Sequence, residues 1–176
     1  SGEWYDFSHD KIREVVYAGL SPMRRRFLHR RVAHSMSAQR TIMTGGIEAQ
    51  IAGHFERAGD NTQAIQWLRR AAQSAHQRSA LGEAIAHLQR ALSLLETTAL
   101  SPARTADELA IQSLLGSLLL ATQGYAAPEV ERAFSRAWEL CQASDDATLR
   151  FRILWGLGRY YFVLPNPEKG LEVSRQ

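Results

Sequence analysis

The sequence predicts an all-α array of about eight antiparallel helices behind a short aromatic lead-in, on three observations. From residue 10 onward the apolar residues recur every three or four positions, and strand-like alternation is confined to Trp4, Tyr5, Asp6 and Phe7. Helix start and stop residues punctuate the chain at short intervals, as at Ser21-Pro22 and Gly59-Asp60. Two patterns of small and large residues recur along it, as expected where helices approach closely and large side chains fill the space between successive pairs.

The elements follow in order. Residues 3 to 7 are long enough for one edge strand or wing. Asp10, placed to favour the positive end of a helix dipole, opens a stretch carrying Ile12, Val15, Val16 and Leu20 that ends near Gly19. Ser21 caps a second helix, with Pro22 in its first turn, running to about Gln39; Thr41 to Gly46 reads as a loop. Ile47 opens a helix lined by Ala49, Ile51, Ala52 and Phe55 that stops at Gly59, and Asp60-x-x-Gln63 forms a capping box for the next. Further helices are expected near 61–79, 82–96, 104–122, 128–143 and 147–164, and another begins at Asn166-Pro167.

Composition narrows the class. Hydrophobic residues make up 45% and charged residues 22% of the 176, a globular balance. The longest apolar stretch, Leu114 to Ala121, is broken by Gly116 and Ser117, so no spanning helix and no membrane partner are expected. Cys141 is the only cysteine and the six histidines are scattered, which gives no internal disulfide and no zinc spacing, and fits a reducing cytoplasm. The chain has neither a start methionine nor a basic-then-apolar leader, and it stops at Leu171 to Gln176 in what reads as a helix. It reads as part of something longer.

The repeat patterns are specific enough to compare with known arrays. Ala64, Leu68, Ala71 returns as Ala84, Leu88, Ala91, with Val130, Phe134, Ala137 as a variant. The complementary pattern occurs as Ile51-Ala52-x2-Phe55, Leu115-Gly116-x2-Leu119 and Leu157-Gly158-x2-Tyr161. Residues 47–176 resemble tetratricopeptide (TPR) repeats, which implies a right-handed superhelix with Ala52, Ala72, Ala91, Gly116 and Gly158 at close helix crossings. The spacing is irregular: Gly116 to Gly158 spans 42 residues and Ala64 to Ala84 only 20.

Residues 1–46 resemble something else. Asp6-Phe7-Ser8-His9-Asp10-Lys11-Ile12-Arg13-Glu14-Val15-Val16-Tyr17, followed by Leu20-Ser21-Pro22 and the arginine-rich stretch to Ala33, is similar to the end of the winged-helix region in STAND-class signalling ATPases. In bacteria such proteins join an ATPase core to a TPR array and to a transcription-activating or nucleotide-cyclase output. The resemblance implies an upstream ATPase core, acting in cis with ATP or ADP, and a sensor or scaffold role in a transcriptional or signalling regulator. This stretch itself has no Gly-x4-Gly-Lys-Ser/Thr loop, since Gly45-Gly46 precedes Ile47-Glu48, so it calls for no cofactor of its own. No nucleophile with a positioned base and no His-x3-His ligand pair occurs either, so catalysis is not expected.

Three groups of residues are site candidates. The resemblance places His9 at the histidine that contacts the phosphate of bound ADP, with Asp10 beside it; otherwise Ser8 or Asp10 caps the helix and His9 is merely exposed. Arg24, Arg25, Arg26, Arg30 and Arg31 form a basic run, in a segment 1–46 that holds eight basic residues against four acidic ones. They form the solvated or domain-facing side of a helix whose apolar stripe is Met23, Phe27, Leu28, Val32 and Met36, or else they contact the phosphates of a nucleic-acid partner, the alternative function. The third group is a concave groove for a protein, a peptide or a small inducer, lined by Trp155, Arg159 and Phe162, by Arg69, Gln73 and His76, and by Glu56 and Arg57. Trp155 and Phe162 alternatively pack on a following helix.

Overall fold

The computed structural model describes residues 10–39, 46–142 and 146–163. Within them lie eight helices and no strand: α1 (Asp10–Ala18), α2 (Pro22–Ala38), α3 (Ile47–Arg57), α4 (Asn61–Gln77), α5 (Leu81–Glu96), α6 (Pro102–Gln123), α7 (Pro128–Cys141) and α8 (Ala147–Val163). The expected wing at residues 3–7, His9 and the helix expected from Asn166 lie outside the described residues. No helix among those described is long and apolar enough to cross a membrane.

Turn chemistry sets the boundaries. Gly59 adopts φ +78°, the left-handed conformation that glycine takes without a Cβ clash. This lets Asp60 N–H donate to the Phe55 carbonyl and Gly59 N–H to Glu56, both at 2.9 Å, closing α3. The Asp60 carboxylate then accepts from Gln63 N–H at 3.2 Å and opens α4. The α4–α5 turn closes in the same way without glycine. Ser79 takes φ 61°, Ala80 N–H donates to Ala75 and Ser79 N–H to His76, both at 2.9 Å. The far end of α5 is tied down by a side chain, Arg104 Nε donating to the Leu95 carbonyl at 2.9 Å.

Each helix from α2 onward packs on the next, and α6 also reaches α8. Short connections force consecutive helices to run back along one another, and polar ties join alternate ones. Arg90 of α5 donates to Glu56 of α3 through Nε and Nη2, at 3.0 and 2.5 Å. Asp107 of α6 receives Arg69 of α4, and Gln66 of α4 donates to both its oxygens at 2.9 and 2.8 Å. Arg152 of α8 donates to Ser113 of α6 at 3.4 Å. The result is two layers, one holding α3 and α5 and the other α4, α6 and α8, around a continuous core from Ala33 to Tyr160.

The repeat patterns place most core residues correctly. Ala52, Ala64, Leu68, Ala71, Ala72, Ala84, Leu88, Ala91, Phe134 and Ala137 are all buried. Gly158 is a correction: a Cβ built there meets nothing within 4 Å. The close approach on α8 is at Gly156, where a Cβ would stand 2.5 Å from the Phe134 ring, and at Gly116 on α6 it would stand 3.0 Å from the same ring. Phe134 is thus a wedge of α7 between two glycines on its flanking helices. The buried face of α8 runs through Ile153, Gly156, Leu157 and Tyr160, which turns Gly158 away from the crossing, while Tyr161 packs at its edge on the core.

One charge lies in the core layer. Glu108 of α6 is 9% exposed and accepts from Arg136 Nε of α7 at 2.7 Å. Arg136 also donates to Glu139 at 2.9 Å, and these hydrogen bonds hold its guanidinium still more firmly protonated than usual.

Candidate interaction surface

The register of α8 decides what the end of the stack presents. With Ile153, Gly156, Leu157 and Tyr160 facing inward, the opposite stripe carries Phe151, Trp155, Arg159 and Phe162, spaced by four, four and three residues. Trp155 is 56% exposed, Phe151 64% and Phe162 88%. Phe151 and Trp155 lie ring against ring, 6.2 Å between centroids. The Arg159 guanidinium sits 4.3 Å from the ring centroid of Tyr125 and 5.4 Å from that of Trp155. Cation–π contact on two sides fixes its direction. Beside this stripe the Tyr161 hydroxyl donates to Glu131 at 2.6 Å, and burial together with that bond pushes its phenol up to about 12.

The other proposed groove residues do not join this stripe. Glu56 is held by Arg90 and Arg69 by Asp107, so both act as ties between alternate helices. Arg57, Gln73 and His76 are exposed, at separate places on α3 and α4. Sequence reasoning missed Phe151, on the face it had assigned to Trp155, and Tyr125, which sits in the α6–α7 turn and reaches Arg159 only through the fold.

At the other end, Met23, Phe27 and Val32 are 81%, 58% and 39% exposed, although the stripe they belong to reads in sequence as a buried one. Toward α3, Ala33 beside the stripe is fully buried and Met36 at its rear packs on the core. The arginines surround the exposed part: Arg31 lies 5.8 Å from the Phe27 ring centroid and Arg25 5.4 Å from that of Tyr17. Arginine, methionine and aromatic side chains side by side are the combination enriched at interfaces between proteins. Asp10 begins α1, and its expected partner His9 lies outside the described residues.

A cavity of about 300 Å³ opens between α3, α4 and α5, floored by Ala49, Ala71 and Ala86 with Arg78, Glu83 and His87 at its rim. Burial lowers the His87 pKa from its ordinary value, outweighing Glu83. None of the groove residues named from sequence lines it. The described residues hold no group of three or more His, Cys, Asp or Glu side chains able to take a metal ion. Cys141 is fully buried, its thiol donating to the Trp138 carbonyl at 3.3 Å, and burial pushes its pKa up.

An uncharacterized protein of Rhizobium meliloti (strain 1021) is 29% identical over 154 residues, covering 86% of this chain. The chain spans 15% of that protein's length. No known family profile matches, and no solved structure matches.

Proposed function

We propose that this chain is a non-catalytic recognition scaffold, a TPR-like helical array that serves as the sensor segment of a larger STAND-type regulator in the bacterial cytoplasm. The observation that carries the scaffold reading is the exposed aromatic stripe Phe151, Trp155 and Phe162 with Arg159 held between Tyr125 and Trp155. Aromatic and arginine side chains supply most of the affinity at protein interfaces because they bury large, pre-ordered surfaces. The ligand is a protein or peptide segment with an apolar anchor for the aromatic stripe and a carboxylate for Arg159. The two-layered helix packing and the small-residue patterns support the TPR-like reading.

The regulator half rests on the resemblance of residues 6–33, and two experiments separate the halves. Sequencing the gene upstream should reveal a Gly-x4-Gly-Lys-Ser/Thr loop, and an upstream region lacking one contradicts the STAND reading. Selection of peptides from a displayed library against the purified chain should enrich sequences whose binding is lost in Trp155→Ala. Enrichment that Trp155→Ala leaves intact contradicts the assignment of the surface. Nucleic-acid binding through Arg24 to Arg31 is the second reading, favoured by the basic excess of residues 1–46 and opposed by the apolar side chains among those arginines.

A further inference from the structure

Two histidines 25 positions apart meet where the first helices join the array. His29 Nδ1 of α2 and His54 Nδ1 of α3 are 2.9 Å apart, their ring centroids 5.1 Å apart. On its other side His29 Nε2 lies 2.8 Å from the Tyr17 hydroxyl of α1. One line of hydrogen bonds therefore crosses three helices, from Tyr17 through His29 to His54. Beside it, the Arg25 guanidinium of α2 lies 5.4 Å from the Tyr17 ring centroid, a second contact between α1 and α2.

Proton counting defines what this line tolerates. Two facing Nδ1 atoms need one proton between them: one nitrogen donates and the other accepts. With both rings neutral, the proton sits on either Nδ1, and the Tyr17 hydroxyl donates to or accepts from His29 Nε2 to match. With one ring protonated the bond survives, because the cation donates to the neutral partner. With both protonated, two N–H groups oppose each other at 2.9 Å and two like charges stand in contact, so the line must break.

The geometry points to a proton-operated latch in which protonation of both His29 and His54 releases α1 and α2 from α3 while leaving the array from α4 onward folded. The surroundings favour release over rescue. On α3, Arg57 acts on both rings; on α2, Arg25 lies over the Tyr17 ring at the far end; among the described residues no carboxylate acts on either histidine. Both histidines titrate below their ordinary 6.5, His29 through burial, then His54, then Arg57, and His54 through burial and then Arg57. A lowered folded-state pKa means that the released state takes up protons first. The latch is therefore fully closed above about pH 6.5 and weakens as pH falls below it, by about ten-fold in the closed-to-open ratio for each proton and each pH unit until the folded-state values are reached.

Hydrogen exchange of the whole chain at pH 7.5 and 5.5, corrected for intrinsic rates, tests this directly. The amides of α2 should lose protection at the lower pH, by up to about a hundred-fold for the two protons, while those of α4 to α7 keep theirs. His54→Gln, which keeps a hydrogen-bonding side chain but cannot titrate, should shrink the difference to what His29 alone contributes, and adding His29→Gln should abolish it. Ring-proton NMR of the unaltered protein supplies the second reading, with both histidines titrating below 6.5 in coupled steps. Equal loss of protection in α2 and α4 to α7, an unchanged α2, or independent titrations at 6.5 would each overturn the latch.

Discussion

The Phe134 ring lies where a side chain on Gly156 would begin: a Cβ there would approach Cε2 and Cζ to 2.5 Å. Real Cβ contacts do not come so close, and on the ring's other flank even a Cβ on Gly116 would stand only 3.0 Å away, so the ring has little room to swing aside. Gly156→Ala should therefore destabilise the chain by about 1–3 kcal/mol through overpacking. Gly158→Ala, into open space on the same helix, should stabilise by up to about 1 kcal/mol through helix propensity. Urea midpoints of the two variants, moving in opposite directions, check the register of α8.

The Glu108–Arg136 pair makes a second stability expectation. Arg136→Ala leaves a carboxylate in the α6–α7 contact with its closest cation gone, and should cost about 1–3 kcal/mol. The half-exposed position of Arg136 keeps the cost at the lower end, since water can reach part of the gap. Adding Glu108→Gln to Arg136→Ala should recover part of the loss, and a thermal melt of the double variant no better than that of the single one contradicts the account.

Cys141 should behave as an inert core thiol. It is fully buried and its pKa is raised by burial, so the reactive thiolate is disfavoured up to and beyond the ordinary value of 9.0. Modification by a disulfide reagent at pH 8 should be slow in the native chain and complete in denaturant. Rapid native labelling would show that the end of α7 opens.

Duplex DNA provides the test of the arginine run. Binding should be weak and indifferent to sequence, and should fall by about ten-fold or more between about 50 and 200 mM salt for every few phosphates contacted. Tight, sequence-selective binding at physiological salt would instead favour the nucleic-acid reading.

The sequence was most informative where residue chemistry acts locally. Ser21, Gly59 and Asp60 mark helix ends because their side chains or φ angles satisfy backbone groups within a few residues. Ser79 ends α4 through the same left-handed geometry, yet nothing in a serine announces it, because the strain is accepted only once α4 and α5 are packed. Gly156 and Gly158 could not be told apart by spacing: both belong to helical patterns, and only the position of Phe134, more than twenty residues earlier, selects between them. Tyr125 beside Arg159 and His29 beside His54 were likewise illegible, since each pair is assembled by helices whose relative rotation periodicity does not fix. The exposure of Met23 and Phe27 within an apolar stripe has a related cause. An apolar stripe records that a face is to be covered, and the described helices cover only its rear edge.

The most direct measurement of the scaffold reading is a calorimetric titration of the strongest library-selected peptide into the parent chain, Trp155→Ala and Arg159→Ala, each paired with a urea melt. Trp155 and Arg159 are exposed, so truncation should leave stability within about 0.5 kcal/mol. If the stripe is the recognition surface, Trp155→Ala should weaken binding by about 2 kcal/mol or more, roughly thirty-fold, with Arg159→Ala affecting acidic peptides most. Binding unchanged in both variants at unchanged stability would contradict the central claim.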